Sequence, residues 1–221
     1  MGAPRAALEA EIVARDTFLA RASGGLERRV AAVEDALEGV DLSPAAREAL
    51  AALTGFTREL ALIAQPDKTP PVDSASTLEL VSLLEELFTA RAADLARLGR
   101  SVELTRSGEA ALIRSHREDV HLVLMELMSN AVKHGNGPIR VHVATTAAWV
   151  DMTIRDGGPG VPRAARRRVF GRFVRGVGLK KNTGFGVGLW LVRKIARAYG
   201  GDVRLAEGAI SVRWPRSTIT G

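Results

Sequence analysis

The sequence predicts an α+β protein in which a helical hairpin precedes a two-layer α/β sandwich. Three observations support this prediction. Apolar residues follow the helical period up to residue 65, strand and helix patterns mix beyond residue 75, and a proline-rich stretch lies between them. We therefore predict a hairpin domain at residues 1–66, a linker at residues 67–73 and a sandwich domain at residues 74–216.

Two amphipathic helices make up the predicted hairpin at residues 4–65. Apolar side chains recur about one turn apart in the first helix, at Leu8, Ile12, Phe18, Leu19, Leu26, Val30, Val33 and Leu37. Gly39 breaks this pattern, and Ser43 followed by Pro44 then supplies the start of a second helix. Because two helices bury both apolar stripes poorly, we expect a homodimer in which two hairpins form a four-helix bundle.

The second domain mixes helices with strands. Helices are predicted at residues 76–98, 117–134 and 187–199. Strands are predicted at residues 101–106, 139–145 and 149–155, and a closing hairpin at residues 202–207 and 209–214. Helices that are segregated from a mostly antiparallel sheet form a two-layer sandwich.

The composition excludes several classes of site. The chain has no cysteine, which rules out disulfides, thiol catalysis and zinc–thiolate centres. No run of 18 apolar residues occurs, so we expect no membrane segment. The charged, alanine-rich start lacks the apolar core of a secretory signal. These features fit a cytoplasmic chain in a reducing compartment.

The net charge of +6 is concentrated in one loop. Residues 157–181 contain eight Arg or Lys residues and no acid. Outside this loop 23 basic residues face 25 acidic ones, so the rest of the chain is slightly acidic. A single basic loop with few aromatic residues suits a small polyanion at least as well as a nucleic acid. We do not expect a nucleic-acid partner, although salt-sensitive DNA binding is the alternative interpretation.

The predicted helix at residues 117–134 carries a polar triplet. Glu126, Asn130 and Lys133 are spaced i, i+4 and i+7 and therefore share one face. A carboxylate, an amide oxygen and an ammonium group in line can hold hydrated Mg²⁺ and neighbouring phosphates. The same triplet also occurs on ordinary solvated helix faces.

A carboxylate followed by glycines ends the strand at residues 149–155. Asp156 precedes Gly157, Gly158 and Gly160. Its carboxylate can accept a hydrogen bond from an exocyclic amine such as that of adenine, and glycines let the backbone approach a flat ring. The alternative is an Asp-Gly turn between strands.

A glycine-rich segment opens the last predicted helix. Gly184, Gly186 and Gly188 alternate with other residues, and their backbone N–H groups at a helix start favour an anion. The spacing differs from the dinucleotide fingerprint, and a flexible loop with a helix cap is the alternative.

Two phenylalanines, Phe170 and Phe173, lie among basic residues between these segments. They suit a hinged lid over a nucleotide, or a short amphipathic helix that packs its rings onto the core.

Together these segments resemble the catalytic domain of sensor histidine kinases. Four segments in the family's order resemble its N, G1, F and G2 boxes: Asn130-Ala-Val-Lys133-His134, Asp156-x-Gly158-x-Gly160, Phe170-x-x-Phe173 and Gly184-x-Gly186-x-Gly188-Leu189. The resemblance extends from residue 72 to about residue 214. It implies an ATP-binding domain of the same fold as gyrase, chaperone and anti-sigma kinase ATPases.

The resemblance also implies roles for single residues. Asn130 would ligate Mg²⁺, and Asp156 would bind adenine. Glu126 would be the catalytic residue, acting near the γ-phosphate as a general base in in-line phosphoryl transfer. Phosphate contacts would come from Lys133 and Arg172, with Lys180 as a weaker candidate. The remaining residues implied to line the ATP site are His134, Gly158, Gly160, Phe170, Phe173, Gly184, Gly186, Gly188 and Leu189.

The predicted hairpin departs from the family at its central residue. Phe18, Leu19, Ser23 and Leu26 keep the family's register, but the phosphate-accepting histidine is replaced by Gly24. Glycine has no nucleophile, so we expect no self-phosphorylation of the hairpin.

Two functions follow from this departure. One is a kinase-like enzyme that hydrolyses ATP or phosphorylates a partner. The other is a pseudo-kinase whose hairpin docks a response regulator or a partner kinase. An ATP-gated clamp of the gyrase class needs a further domain after the ATPase and ranks third.

Overall fold

The computed structural model divides the chain into two compact units, Met1–Lys68 and Thr69–Gly221. It describes residues 22–26, 28–37, 39–43, 45–46, 49–50, 53–54, 56–57, 60, 64, 75–172, 174 and 186–218. Among these residues, no helix is long and apolar enough to cross a membrane.

The described part of the first unit is helical. Residues at 22–36 and at 45–64 lie in helices wherever they are described. The Thr54 hydroxyl donates a 2.5 Å hydrogen bond to the Glu34 carboxylate, so the two helical stretches lie side by side. Val30 and Ala64 are buried in this unit. The predicted helical N-terminal part is therefore confirmed.

The second unit contains three helices and seven strands within its described residues. The helices are α1 (Leu80–Arg97), α2 (Arg117–His134) and α3 (Gly188–Ala198). The strands are β1 (Ser76–Glu79), β2 (Val102–Ser107), β3 (Leu112–Ser115), β4 (Ile139–Thr145), β5 (Trp149–Arg155), β6 (Asp202–Ala206) and β7 (Ala209–Pro215). Two short 3-10 helices, Arg163–Ala165 and Arg168–Phe170, lie between β5 and α3.

The main sheet has five strands in the order β2-β4-β5-β7-β6. β2 pairs with β4 in parallel, and the other neighbours are antiparallel. Along β4, Val141 and Val143 are buried whereas Arg140 and His142 are exposed. This alternation is typical of a sheet with one face on the core and one face in solvent. The predicted two-layer α/β sandwich is confirmed.

The start of α1 corrects one prediction. Residues 76–98 were predicted to be entirely helical, but Ser76–Glu79 form β1, which pairs with the unpredicted strand β3. Glu79 ends the strand and caps the helix, because its Oε2 accepts a hydrogen bond from the Ser82 amide at 2.6 Å. Its Oε1 accepts from the Ala111 amide at 3.1 Å. The partner strand is more than thirty residues away, so the local pattern could not reveal this pairing.

The helices bury their apolar faces in a shared core. The fully buried side chains of α2 include Val120, Val123 and Leu127, which the helical period predicts to face inward. From α3, Leu191 and Ile195 are also inaccessible to solvent. Each such side chain contributes about 1.5–3 kcal/mol relative to an exposed one. This core holds α2 and α3 next to each other.

Candidate functional site

The predicted site residues come together where α2 and α3 meet. Gly188 is the first residue of α3, and a Cβ atom placed on it would collide with the Glu126 carboxylate. A larger residue would therefore have to displace the end of the Glu126 side chain. The start of α3 is therefore held against the polar face of α2.

Glu126 is the acidic group of this contact. Burial raises the pKa of its carboxyl, and the nearby Lys133 ammonium partly opposes this effect. A carboxyl with a raised pKa is better suited to exchange protons near neutral pH than an exposed glutamate.

Asn130 lies one turn further along α2. Its amide nitrogen is buried and has no hydrogen-bond partner among the residues that the structure describes. Leaving a buried polar group unsatisfied costs about 1–3 kcal/mol. Such a group fits a site that a polar ligand completes.

Asp156 follows the last residue of β5. Its Oδ1 accepts a 2.9 Å hydrogen bond from the Gly158 amide, which fixes the orientation of the carboxylate. A Cβ atom on Gly158 would lie 2.5 Å from the His134 carbonyl oxygen. The glycine therefore lets the Asp156 turn pack directly on the end of α2.

Two further predicted glycines adopt a left-handed backbone. Gly160 has φ +66°, and Gly186 has φ +73°. Other residues adopt this conformation at a cost, so the backbone favours glycine at both positions.

His134 ends α2 beside this turn. Burial and the Lys133 ammonium lower its pKa, whereas the Asp156 carboxylate has the opposite effect. The imidazole is therefore neutral at pH 7 and offers a flat ring with one donor and one acceptor.

Cation–π contacts tie the segment around Phe170 to α3. The Arg193 guanidinium lies 4.7 Å from the centre of the Phe170 ring. The Arg172 guanidinium lies 5.5 Å from the centre of the Trp190 ring. The Lys194 ammonium, which is on α3 like Trp190, lies 5.3 Å from the same ring. Such contacts contribute about 0.5–1 kcal/mol each at exposed sites.

Several residues beside the candidate site have contacts that the sequence pattern does not predict. The i, i+3, i+4 spacing of Trp190, Arg193 and Lys194 on α3 could have indicated that they share a face. Arg100 carried no such signal, because it acts on a helix end more than thirty residues away.

The structure places most predicted residues at this site. Glu126, Asn130, Lys133 and His134 lie along two turns of α2, and Leu189 follows Gly188 at the start of α3. Phe173, Gly184 and Lys180 lie outside the described residues.

Comparison with known proteins finds a family that matches the second half of the chain. Residues 115–218 match the family described as "Histidine kinase-, DNA gyrase B-, and HSP90-like ATPase". The signal transduction histidine-protein kinase AfsQ2 of Streptomyces coelicolor is 36% identical over 103 residues, which cover 46% of this chain and 19% of that protein. This chain contains a histidine kinase-like ATPase domain.

Other relatives extend the match beyond the ATPase domain. The probable sensor histidine kinase HK of Mycobacterium tuberculosis is 29% identical over 166 residues, which cover 72% of this chain and 42% of that protein. The chain therefore spans between about a fifth and two fifths of the length of these curated relatives.

Solved structures share the fold of the ATPase domain. The nucleotide-free catalytic domain of the histidine kinase ThkA superposes with a TM-score of 0.58 at 20% identity, over 66% of this chain and 99% of that one. Full-length ShkA, solved with AMPPNP, superposes with a TM-score of 0.63 at 20% identity, over 96% of this chain and 47% of that one.

Proposed function

We propose that this chain binds ATP with Mg²⁺ between α2, the Asp156 turn and the start of α3, as the ATP-binding part of a cytoplasmic two-component signalling protein. The buried amide of Asn130 carries the proposal, because its nitrogen lacks a partner among the described residues. The family match and the AMPPNP complex of ShkA support the same ligand.

The residues at the site fit such a ligand. The glycines at 158 and 188 leave no side chain between the backbone of one element and its neighbour. The start of α3 presents backbone N–H groups and the positive end of a helix dipole, which favour phosphate. In this proposal Asp156 accepts from the adenine amine, while Lys133 and Arg172 contact phosphate.

Asn130 is the proposed protein ligand for Mg²⁺ through its amide oxygen, and its unpartnered amide nitrogen is proposed to donate to a phosphate oxygen. The described residues contain no group of three or more His, Asp or Glu side chains that could hold a metal. Mg²⁺ commonly takes few protein ligands and completes its shell with phosphate oxygens and water. When bound, the ion neutralises charge on the phosphates.

Glu126 is the proposed catalytic residue. Its raised pKa makes the carboxylate a stronger base than an exposed glutamate. It therefore suits the task of taking a proton from an attacking hydroxyl or water, while Lys133 nearby offers a positive charge.

The predicted hairpin is not proposed to accept a phosphoryl group, unlike the hairpin of a self-phosphorylating kinase. Gly24 offers no nucleophile, so phosphoryl transfer is proposed to go to water or to a partner. The absence of an acceptor also favours a second function, a non-catalytic pseudo-kinase in which ATP controls docking of a response regulator or a partner kinase. For both functions we propose residues 1–66 as a dimerising hairpin, residues 67–73 as a linker and residues 74–216 as the ATP-binding domain.

Calorimetric titration of the full chain with Mg-ATP tests the proposal. We expect the unchanged chain to bind ATP and Asn130→Ala to bind about tenfold or more weakly, since a hydrogen bond to a charged group contributes about 1.5–3 kcal/mol. Arg140→Ala is the control, because Arg140 is exposed on the sheet face away from the core. If the unchanged chain binds no ATP, the proposal is wrong.

Phosphate release by the same samples separates the two functions. Release above background that Glu126→Gln abolishes supports the enzyme, whereas ATP binding without release supports the pseudo-kinase.

A further inference from the structure

The end of α2 and the turn after β5 meet backbone to backbone. A Cβ atom on Gly135 would lie 2.5 Å from the Asp156 carbonyl oxygen, and one on Gly158 would lie 2.5 Å from the His134 carbonyl oxygen. The Asn136 amide also donates to the Asp156 carbonyl at 2.9 Å. The turn that carries the Asp156 carboxylate is therefore positioned by the end of α2.

Arg100, which lies between α1 and β2, is the side chain that holds this end of α2. Its Nη1 donates to the Gly135 carbonyl at 2.8 Å, and its Nη2 donates to the Ala131 carbonyl at 3.0 Å. The last carbonyls of a helix lack partners within the helix and form the negative end of its dipole. The Ala131 carbonyl also accepts from the Gly135 amide at 2.9 Å, so Arg100 adds a second donor there. Arg100 donates to the Gly135 carbonyl as well and places a positive charge beside both carbonyls.

The contact also includes Gly135 itself. A Cβ atom there would lie 2.6 Å from Arg100 Nη2 and 2.5 Å from the Asp156 and Ala131 carbonyl oxygens, so glycine leaves the space in which these groups meet. A guanidinium presents several N–H groups in a rigid plane, whereas lysine offers one flexible point charge. Two carbonyls at a fixed separation can both accept from one arginine, whereas the single ammonium of lysine matches that geometry poorly.

We propose that Arg100 is a positioning residue for adenine recognition. It acts through Gly135 on the Asp156 turn and does not touch the nucleotide. The proposal rests on the proposed ATP site. In that site Asp156 accepts a hydrogen bond from the adenine amine, whereas Asn130 and Lys133 bind Mg²⁺ and phosphate.

The proposal predicts which part of binding depends on Arg100. Asn130 and Lys133 lie within the hydrogen-bonded body of α2, so the phosphate side keeps its geometry when Arg100 is changed. The Asp156 turn contacts the helix end that Arg100 holds. When Arg100 is changed, we therefore expect the Asp156 carboxylate to move relative to adenine. Loss of Arg100 should therefore reduce the preference for ATP over GTP, because the two nucleotides differ only in the base.

The experiment compares Mg-ATP and Mg-GTP affinities of the full chain with its thermal stability. For Arg100→Gln we expect ATP to bind about tenfold more weakly while GTP affinity changes little, because small displacements of a recognition group cost at least that much. Arg100→Lys keeps the charge and the fold but loses the planar pair of donors, so we expect it to lose most of the preference as well. Arg106→Gln, an exposed arginine on β2, is the control and should keep the preference.

Three outcomes contradict the proposal. If ATP and GTP weaken by the same factor in both Arg100 variants, Arg100 only supports the fold. If the melting temperature falls and the preference stays, Arg100 is a helix cap and nothing more. If the unchanged chain binds ATP without preferring it to GTP, the recognition that Arg100 is proposed to support does not exist. Absence of all nucleotide binding by the unchanged chain instead overturns the proposed function, on which this inference rests.

Discussion

At the candidate site, the lack of a side chain at one residue determines how closely a neighbouring element can approach. Gly188 has no side chain, and this allows the Glu126 carboxylate to lie against the start of α3. Burial of this carboxyl is the main reason that the pKa of Glu126 is raised. A glycine in one element thus lies against a buried carboxyl in another, and neither residue alone indicates that contact.

The pH dependence of stability tests the environment of Glu126. The folded chain holds the Glu126 proton more tightly than the unfolded chain, so this contribution to stability is complete below the ordinary pKa of 4.5 and is lost as pH rises through the raised value. Glu126→Gln removes the titration. We therefore expect the free energy of unfolding, measured by urea titration between about pH 4.5 and pH 7, to decline less in the variant. Parallel curves for the two proteins would show that Glu126 is not desolvated.

At the scale of elements, a buried polar contact joins α2 to α3. Asp119 lies in the first turn of α2 and is only 1% exposed. The hydroxyl of Tyr199, the residue that caps the end of α3, donates to its Oδ2 at 2.5 Å. Burial and this contact raise the pKa of Tyr199, so the hydroxyl keeps its proton and remains a donor. The contact fixes the far ends of the two helices whose other ends form the site.

Tyr199→Phe tests this contact. The change leaves Asp119 buried without its tyrosine donor, so we expect the free energy of unfolding to fall by about 1–3 kcal/mol in urea titration. The double variant Tyr199→Phe, Asp119→Leu removes both polar groups and should recover part of this loss. A loss below about 0.5 kcal/mol in the single variant would mean that other groups satisfy Asp119 equally well.

At the scale of the whole molecule, the chain combines a helical unit with an ATPase domain. We propose that Gly24 separates it from kinases that phosphorylate their own hairpin. A Cβ atom on Gly24 would meet no atom within 4 Å among the described residues. The glycine is therefore not required by close packing there. What distinguishes the position is its missing nucleophile.

A transfer assay with radiolabelled ATP tests this distinction. We expect no label on residues 1–66 of the unchanged chain, because glycine cannot accept a phosphoryl group. Gly24→His is the matched control, and label on this variant alone would show that transfer is possible and that glycine blocks it. Label within residues 1–66 of the unchanged chain would contradict the interpretation of Gly24.

Homodimerisation of the whole chain through the predicted hairpin stays a prediction. It rests on the two apolar helix stripes at residues 4–65, which a single hairpin covers poorly. Exposed apolar residues in the described part of the first unit, among them Val33, Leu53 and Phe56, agree with such a partner face.

The sequence by itself determined the fold class, most of the helices and strands, and the residues that converge on the site. Helical periodicity placed α2 and α3 because one buried face of a helix leaves a local pattern. The polar triplet on α2 followed from the same period, since residues i, i+4 and i+7 share a face in any helix.

Only the tertiary structure decided the features that depend on distant pairing. β1 was predicted as helix because its partner β3 lies more than thirty residues away, and strand pairing of this kind leaves no local period. Arg100 was missed for the same reason: its two acceptors are backbone carbonyls of α2, which every sequence possesses. The raised pKa of Glu126 likewise reflects burial of its carboxyl, which depends on tertiary packing. Local periodicity predicts which faces are buried, whereas the contacts between those faces exist only once the chain has folded.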